Sequence, residues 1–172
     1  RSLAAYLVDH EGRDALAGLA AGVGLTPSDF DGRSKWVSIE QFDAFLVAAH
    51  ARLGDEARFR TAVVHRFGEL AFGPLRFMLW ATSPRAMLQL AYKKVRAVSA
   101  ISRFDVTKSG RNFLEARYAS ERVESRENCI VRQETGRYLA TLCGLPPAEL
   151  TEGGCIAHGD EACEYVFRWR DR

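Results

Sequence analysis

The chain has 172 residues, 47% of them hydrophobic, and 24 Lys and Arg stand against 22 Asp and Glu for a formal charge of +2. That length allows one domain with a sizeable core and would cramp two; the interleaved charges exclude recognition of nucleic acid by a basic stripe. No apolar run is long enough to cross a bilayer and four cysteines are too few for a secreted disulfide scaffold, so we expect a soluble cytoplasmic domain without membrane insertion.

The sequence opens at Arg1 rather than methionine, which we read as a piece excised from a longer protein. Ser2 to Gly24 reads as helix, with Leu3, Leu7, Leu16, Leu19 and Val23 apolar and an interruption at Glu11-Gly12. In the next loop Asp29, Asp31 and Glu40 fall at positions of a calcium-loop template. Arg33 takes a ligand position there and Ser34 the place of the glycine, so calcium is not expected. Ser38 and Gln41 form a capping box, with Val37 stapled onto Phe42, ahead of a helix carrying Ile39, Phe42, Leu46, Ala49 and Leu53. A second amphipathic helix carries Phe59, Val63, Phe67 and Leu70. Gly73-Pro74 opens a short apolar helix with Leu75, Met78 and Leu79, and Ser83-Pro84 starts another with Leu88, Ala91, Val95 and Val98 on one stripe. Lys93, Lys94 and Arg96 read as a solvated face, and His10, His50 and His65 as partly buried or capping residues rather than ligands.

From Ile101 the period changes to two, and the segments flanking Gly110-Arg111 read as a hairpin. Helix returns from about Glu127 to Cys143, stopped by Gly144 and Pro146-Pro147. A second hairpin follows, turning at Gly159-Asp160. The order predicts an α+β fold: an N-terminal helical layer packed on an antiparallel sheet of two hairpins with an intervening helix, residues 1–172 forming a single domain.

Two constellations carry chemistry. Tyr118, Ser120 and Arg122 share a parity with Leu114 and Ala116, so a continuing strand would set two hydroxyls and a guanidinium on one face, suited to carboxylates on a flat hydrophobic ligand. The plainer alternative pairs Arg122 with Glu121 or Glu124 at the surface. Cys155 and Cys163 lie nearly opposite one another across the second turn. With Glu152 three residues before Cys155, and Cys129 upstream, they make a ligand set suited to structural zinc. His158 or Cys143 are alternative fourth ligands; a set of small buried cysteines and a cross-strand disulfide are the other readings.

Tyr118-Ala119-Ser120-Glu121-Arg122 resembles the Tyr-x-Ser-x-Arg signature of the heme nitric oxide/oxygen-binding (H-NOX) family, in which those side chains hold the heme propionates. The resemblance extends over nearly the whole chain. Glu152, Cys155, Cys163 and Cys129 resemble the cysteine-rich zinc site of some H-NOX proteins, and are similar to that of the related vinyl reductase-type domains that sense aromatics in bacterial activators. The family's heme-ligating histidine has no counterpart, since no histidine stands between His65 and His158; Tyr92 takes its place. A tyrosinate can hold ferric heme, but the releasable imidazole of conventional nitric oxide sensing is gone.

The resemblance therefore implies a regulatory domain rather than an enzyme. It binds a hydrophobic or carboxylate-bearing small molecule in a pocket between helices and sheet and controls an attached output domain such as a cyclase or kinase. Leu88, Ala91, Tyr92 and Val95 would form the pocket's helical wall, and Tyr118, Ser120 and Arg122 its polar end. The alternatives are a heme-binding gas or redox sensor with Tyr92 as axial ligand, and a heme-free protein-interaction module; a homodimer is compatible with each.

Overall fold

The structure, a computed structural model, describes residues 1–31, 37–98 and 102–170, with the backbone only for 93–98. Arg33 and Ser34 of the calcium-loop template lie outside the described residues, as do the side chains of Lys93, Lys94, Val95, Arg96 and Val98. The chain divides into two compact units, Arg1–Ala71 and Phe72–Arg172.

In the first unit the opening helix is two helices, α1 (Ser2–Glu11) and α2 (Arg13–Gly22), broken where expected because Gly12 takes φ +90°, a conformation that side chains resist. A 3-10 turn at Pro27–Phe30 leads to α3 (Ile39–Leu53). Its capping box is formed: Ser38 Oγ accepts the Gln41 N–H at 3.1 Å, and the Gln41 side chain accepts the Ser38 N–H at 3.3 Å. Asp55 caps α4 (Glu56–Val63) by accepting the N–H groups of Ala57 and Arg58, both at 3.2 Å. α5 (Phe67–Phe72) runs to the unit boundary. Leu7, Leu16, Phe45, Leu46, Ala49 and Phe59 are buried. Phe45 enters the core where the sequence stripe favoured Phe42, which is half-buried. The helical histidines bond to neighbours: His65 Nε2 meets Asp9 Oδ2 at 2.9 Å, and His10 Nδ1 meets the Tyr6 carbonyl at 3.0 Å.

The second unit begins with a 3-10 helix, Gly73–Ala81. Its Leu75, Phe77, Met78 and Trp80 are exposed, so this segment does not bury the apolar face expected of it. α6 (Pro84–Val98) starts as Ser83-Pro84 predicts, with Ser83 Oγ accepting the Ala86 N–H at 3.2 Å. Four antiparallel strands follow, β1 (Ser102–Ser109), β2 (Phe113–Ser120), β3 (Glu149–Gly154) and β4 (Cys163–Arg168), in the order β1-β2-β4-β3. α7 (Arg126–Leu142) connects the two hairpins. The predicted α+β class, with two hairpins and an intervening helix in one antiparallel sheet, is the observed one.

α7 approaches the sheet closely at one point. A Cβ on Gly136 would lie 2.5 Å from the ring of Phe167, which is fully buried. Two local expectations are corrected. β2 ends at Ser120, whose Oγ accepts the Arg122 N–H at 3.2 Å and closes a turn, so Arg122 leaves the row and is exposed. The second hairpin leaves its ladder after Gly154, where a 3-10 turn (Ile156–His158) and Gly159 at φ +97° precede β4. Asp160 pins that turn by accepting the Cys155 N–H at 2.7 Å. Among the described residues, no helix is long and apolar enough to cross a membrane.

Candidate functional site

Strand alternation sends Leu114, Ala116 and Tyr118 of β2 to the buried face, together with Cys163, Tyr165 and Phe167 of β4. The register sets Phe104 opposite Tyr118 and Tyr118 opposite Cys163. One row across three strands therefore reads Phe104, Tyr118, Cys163. α6 extends it, because the Tyr92 ring lies flat on Phe104 with centroids 3.7 Å apart and planes at 14°.

Around Tyr92, Leu88 is buried and Ala91 half-buried, while the Val95 side chain is outside the described residues. The Tyr92 hydroxyl is buried and has no hydrogen-bond partner among the described residues. Burial raises its pKa above the usual phenol value. Leaving such a group unsatisfied costs about 1–3 kcal/mol.

Tyr118 stands differently. Its hydroxyl donates to Glu124 Oε1 at 2.5 Å and pairs with the Ser102 hydroxyl at 2.9 Å. Glu124, only 4% exposed, also takes Arg132 Nη1 on its other oxygen at 2.5 Å. The Arg132 guanidinium lies 3.8 Å over the Tyr118 ring. Burial, opposed by Arg132 and reinforced by the bond to Glu124, pushes the Tyr118 pKa up to about 12. Ser120 is half-buried, its Oγ engaged by the Arg122 backbone. Of the three signature side chains, Tyr118 and Ser120 thus share one face of β2 and Arg122 lies beyond the strand. The carboxylate that Tyr118 serves belongs to the chain itself, so this end as it stands does not fit a heme propionate.

At the far end of the row, Cys129 from α7, Cys155 and Cys163 bring their sulfurs within 4.8 Å of one another, all three buried. Cys129 Sγ lies 3.5 Å from Cys163 and 3.4 Å from Cys155. None of the four cysteines is in a disulfide. A tetrahedral zinc with Zn–S bonds of about 2.3 Å needs sulfurs about 3.8 Å apart, so the triad fits such an ion after a small expansion. The close contact between Cys129 and Cys163 sets the two thiols apart, the shared hydrogen bond holding Cys163 below the usual thiol value and pushing Cys129 above it. Around the triad, Arg132 Nη2 donates to Cys129 at 3.2 Å, Arg126 Nη1 to Cys155 at 3.3 Å and the Ile156 N–H to Cys163 at 3.4 Å.

Glu152 is beside the triad and not in it. Arg126 Nη1 reaches both its oxygens at 3.0 and 2.9 Å, and Gln133 Nε2 donates at 2.7 Å. Neither alternative fourth ligand joins: His158 is exposed, and Cys143 lies with Thr82 and the Leu139 carbonyl. The sequence reading considered Glu124 only as a surface partner, whereas it is buried, and passed over Arg126, Arg132 and Gln133. Helical spacing could have raised three of them, since Arg126, Arg132 and Gln133 lie three or four residues from Cys129. A groove of about 330 Å³ on the opposite sheet face, lined by Glu115, Arg117, Thr151 and Glu164 among others, contains none of the expected site residues.

No family model matches the chain, and no curated protein does. Solved structures do. The Fe(II) unliganded H-NOX protein from K. algicida aligns with TM-score 0.67 at 12% identity, covering 99% of this chain and 94% of that one. The fold is H-NOX-like. An H-NOX protein from S. oneidensis in its Fe(II)NO state aligns with TM-score 0.65 at 14% identity, over 99% and 96% of the two chains. An oxygen-binding H-NOX domain related to soluble guanylate cyclases gives TM-score 0.67 at 10% identity, over 99% and 92%. At these identities the H-NOX likeness speaks for the fold.

Proposed function

We propose that residues 1–172 form one sensory domain of H-NOX-like fold, not an enzyme, which binds a small hydrophobic molecule beside α6 and the sheet and passes its occupancy to an output domain such as a cyclase or kinase. The observation that carries this reading is the buried Tyr92 hydroxyl, without a partner among the described residues, its ring stacked on Phe104. A flat molecule with one hydrogen-bonding group would satisfy the hydroxyl and keep the aromatic packing. A neutral ligand suits the site better than a carboxylate, because Tyr118 already serves Glu124. Native mass spectrometry of the domain as purified tests this: an adduct is expected that Tyr92→Phe loses, and a bare chain that binds none of a panel of phenols and aromatic amides would overturn it.

A second reading, heme held through Tyr92, draws on the same hydroxyl and on the iron-bearing H-NOX structures of like fold. It needs Glu124 to yield at the propionate end. A Soret band in the purified domain that Tyr92→Phe abolishes would establish it.

We further propose that Cys129, Cys155 and Cys163 hold one structural zinc, with Glu152 as fourth ligand once it releases Arg126. The ion would supply charge and cross-linking, tying α7 to the last hairpin. Elemental analysis of protein purified without chelators is expected to find one zinc per chain.

A further inference from the structure

We infer that Glu124 and Arg132 couple the Tyr118 hydroxyl to the cysteine triad, so that the hydrogen bond this hydroxyl makes to Glu124 sets metal affinity. The metal part of this inference rests on the zinc reading above.

The route is continuous and made of buried polar contacts. The Tyr118 hydroxyl donates to one oxygen of Glu124, and Arg132 Nη1 to the other. On the same guanidinium, Nη2 reaches Cys129 Sγ at 3.2 Å and Cys163 Sγ at 3.9 Å. A guanidinium is a rigid planar fork, so moving one nitrogen moves the other. The side chains are 15% and 2% exposed for Arg132 and Glu124, so water does little to buffer a change at either end. Arg132 is thus shared between two electron-rich partners, the Glu124 carboxylate and the cysteine sulfurs. Whatever strengthens its hold on one weakens its hold on the other.

Tyr118 sets that balance from the pocket side. Its hydroxyl spreads part of the negative charge of Glu124 and so loosens Glu124's claim on Arg132. Loss of the Tyr118 hydroxyl bond leaves Glu124 to pull on Arg132, and the sulfurs lose a donor. Arg132 is then a positioning residue for the triad, acting on the thiolates without binding the ion. Supporting donors of this kind change metal affinity by about 10- to 100-fold.

The sign of the effect provides the test. In the 172-residue protein loaded with Co²⁺, sulfur-to-cobalt absorption during chelator competition measures affinity. Tyr118→Phe keeps the ring under Arg132 but removes the donor, and is expected to weaken Co²⁺ binding by about tenfold. Glu124→Gln removes the competing charge and is expected to tighten it. The double variant should match Glu124→Gln alone, because Tyr118 acts only through that carboxylate. General damage to the fold would weaken binding in all three. Shifts in one direction for both single variants, or none in either, overturn the coupling.

If the unaltered protein shows no sulfur-to-cobalt band, the zinc reading fails and the coupling is decided on metal-free protein. N-ethylmaleimide labelling of Cys129 and Cys163, followed by peptide mass, should then change in opposite directions in the two single variants. Equal rates would remove the inference.

Discussion

Arg126 and Glu152 meet 2.9 Å apart, and the same nitrogen of Arg126 also touches the sulfur of Cys155. A cationic group thus bridges a carboxylate and a thiol that the sequence pattern assigns to one metal. If the ion takes Glu152, it replaces Arg126 in that bridge. Arg126→Ala is therefore expected to tighten zinc binding and Glu152→Gln to weaken it by about tenfold or more, with a fluorescent zinc chelator as competitor. Weaker binding in Arg126→Ala would assign Arg126 to holding the site together instead.

Gly136 lets α7 lie against Phe167. Alanine there would gain about 1 kcal/mol of helix propensity, but its Cβ would sit 2.5 Å from a fully buried ring. Overpacking of a buried site costs about 1–3 kcal/mol. Gly136→Ala should leave the chain less stable by about 1 kcal/mol in urea unfolding, and should weaken metal binding as α7 lifts Cys129 from the hairpin.

Tyr92→Phe removes a buried hydroxyl that has no hydrogen-bond partner among the described residues. In the ligand-free protein it should raise stability by about 1 kcal/mol, seen as a higher Tm. In the ligand-bound protein the same change should lower it, because the hydroxyl is then satisfied. A loss of stability without ligand would show that the hydroxyl bonds to something in the resting protein.

Alkaline pH should unfold the second unit through its phenols. Burial raises Tyr118 from the ordinary 10.0 to about 12, and also raises Tyr92 and Tyr165. A group whose folded pKa lies above its unfolded value contributes stability in full below the unfolded value, and that stability drains as pH rises through the folded one. Stability should therefore be level below pH 10 and fall between pH 10 and 12, with tyrosinate absorbance appearing together with loss of circular dichroism. Tyrosinate absorbance at pH 10 without unfolding would show these phenols to be solvated.

Local chemistry made much of the fold legible. Ser38 with Gln41, the glycine between α1 and α2, Ser83-Pro84 and the switch from helical to alternating period after Ile101 each act within a few residues, and each appears where the sequence placed it. The exposed segment at Gly73–Ala81 was misread because its composition is apolar throughout, and composition does not say whether a neighbour covers it.

By itself the sequence determined most of the elements and the α+β class, and it pointed to Cys129, Cys155 and Cys163 as candidate ligands, because caps, periodicity and residue type are read from short stretches of chain. Only the tertiary structure decided that Tyr118 serves Glu124, that Arg126 holds Glu152 and that the Tyr92 hydroxyl is buried without a partner among the described residues. Those outcomes depend on strand register, on where β2 stops, and on how α7 and α6 dock on the sheet. The partner of a buried polar group is set by whichever donor or acceptor packing brings within about 3 Å, and no local pattern encodes that choice.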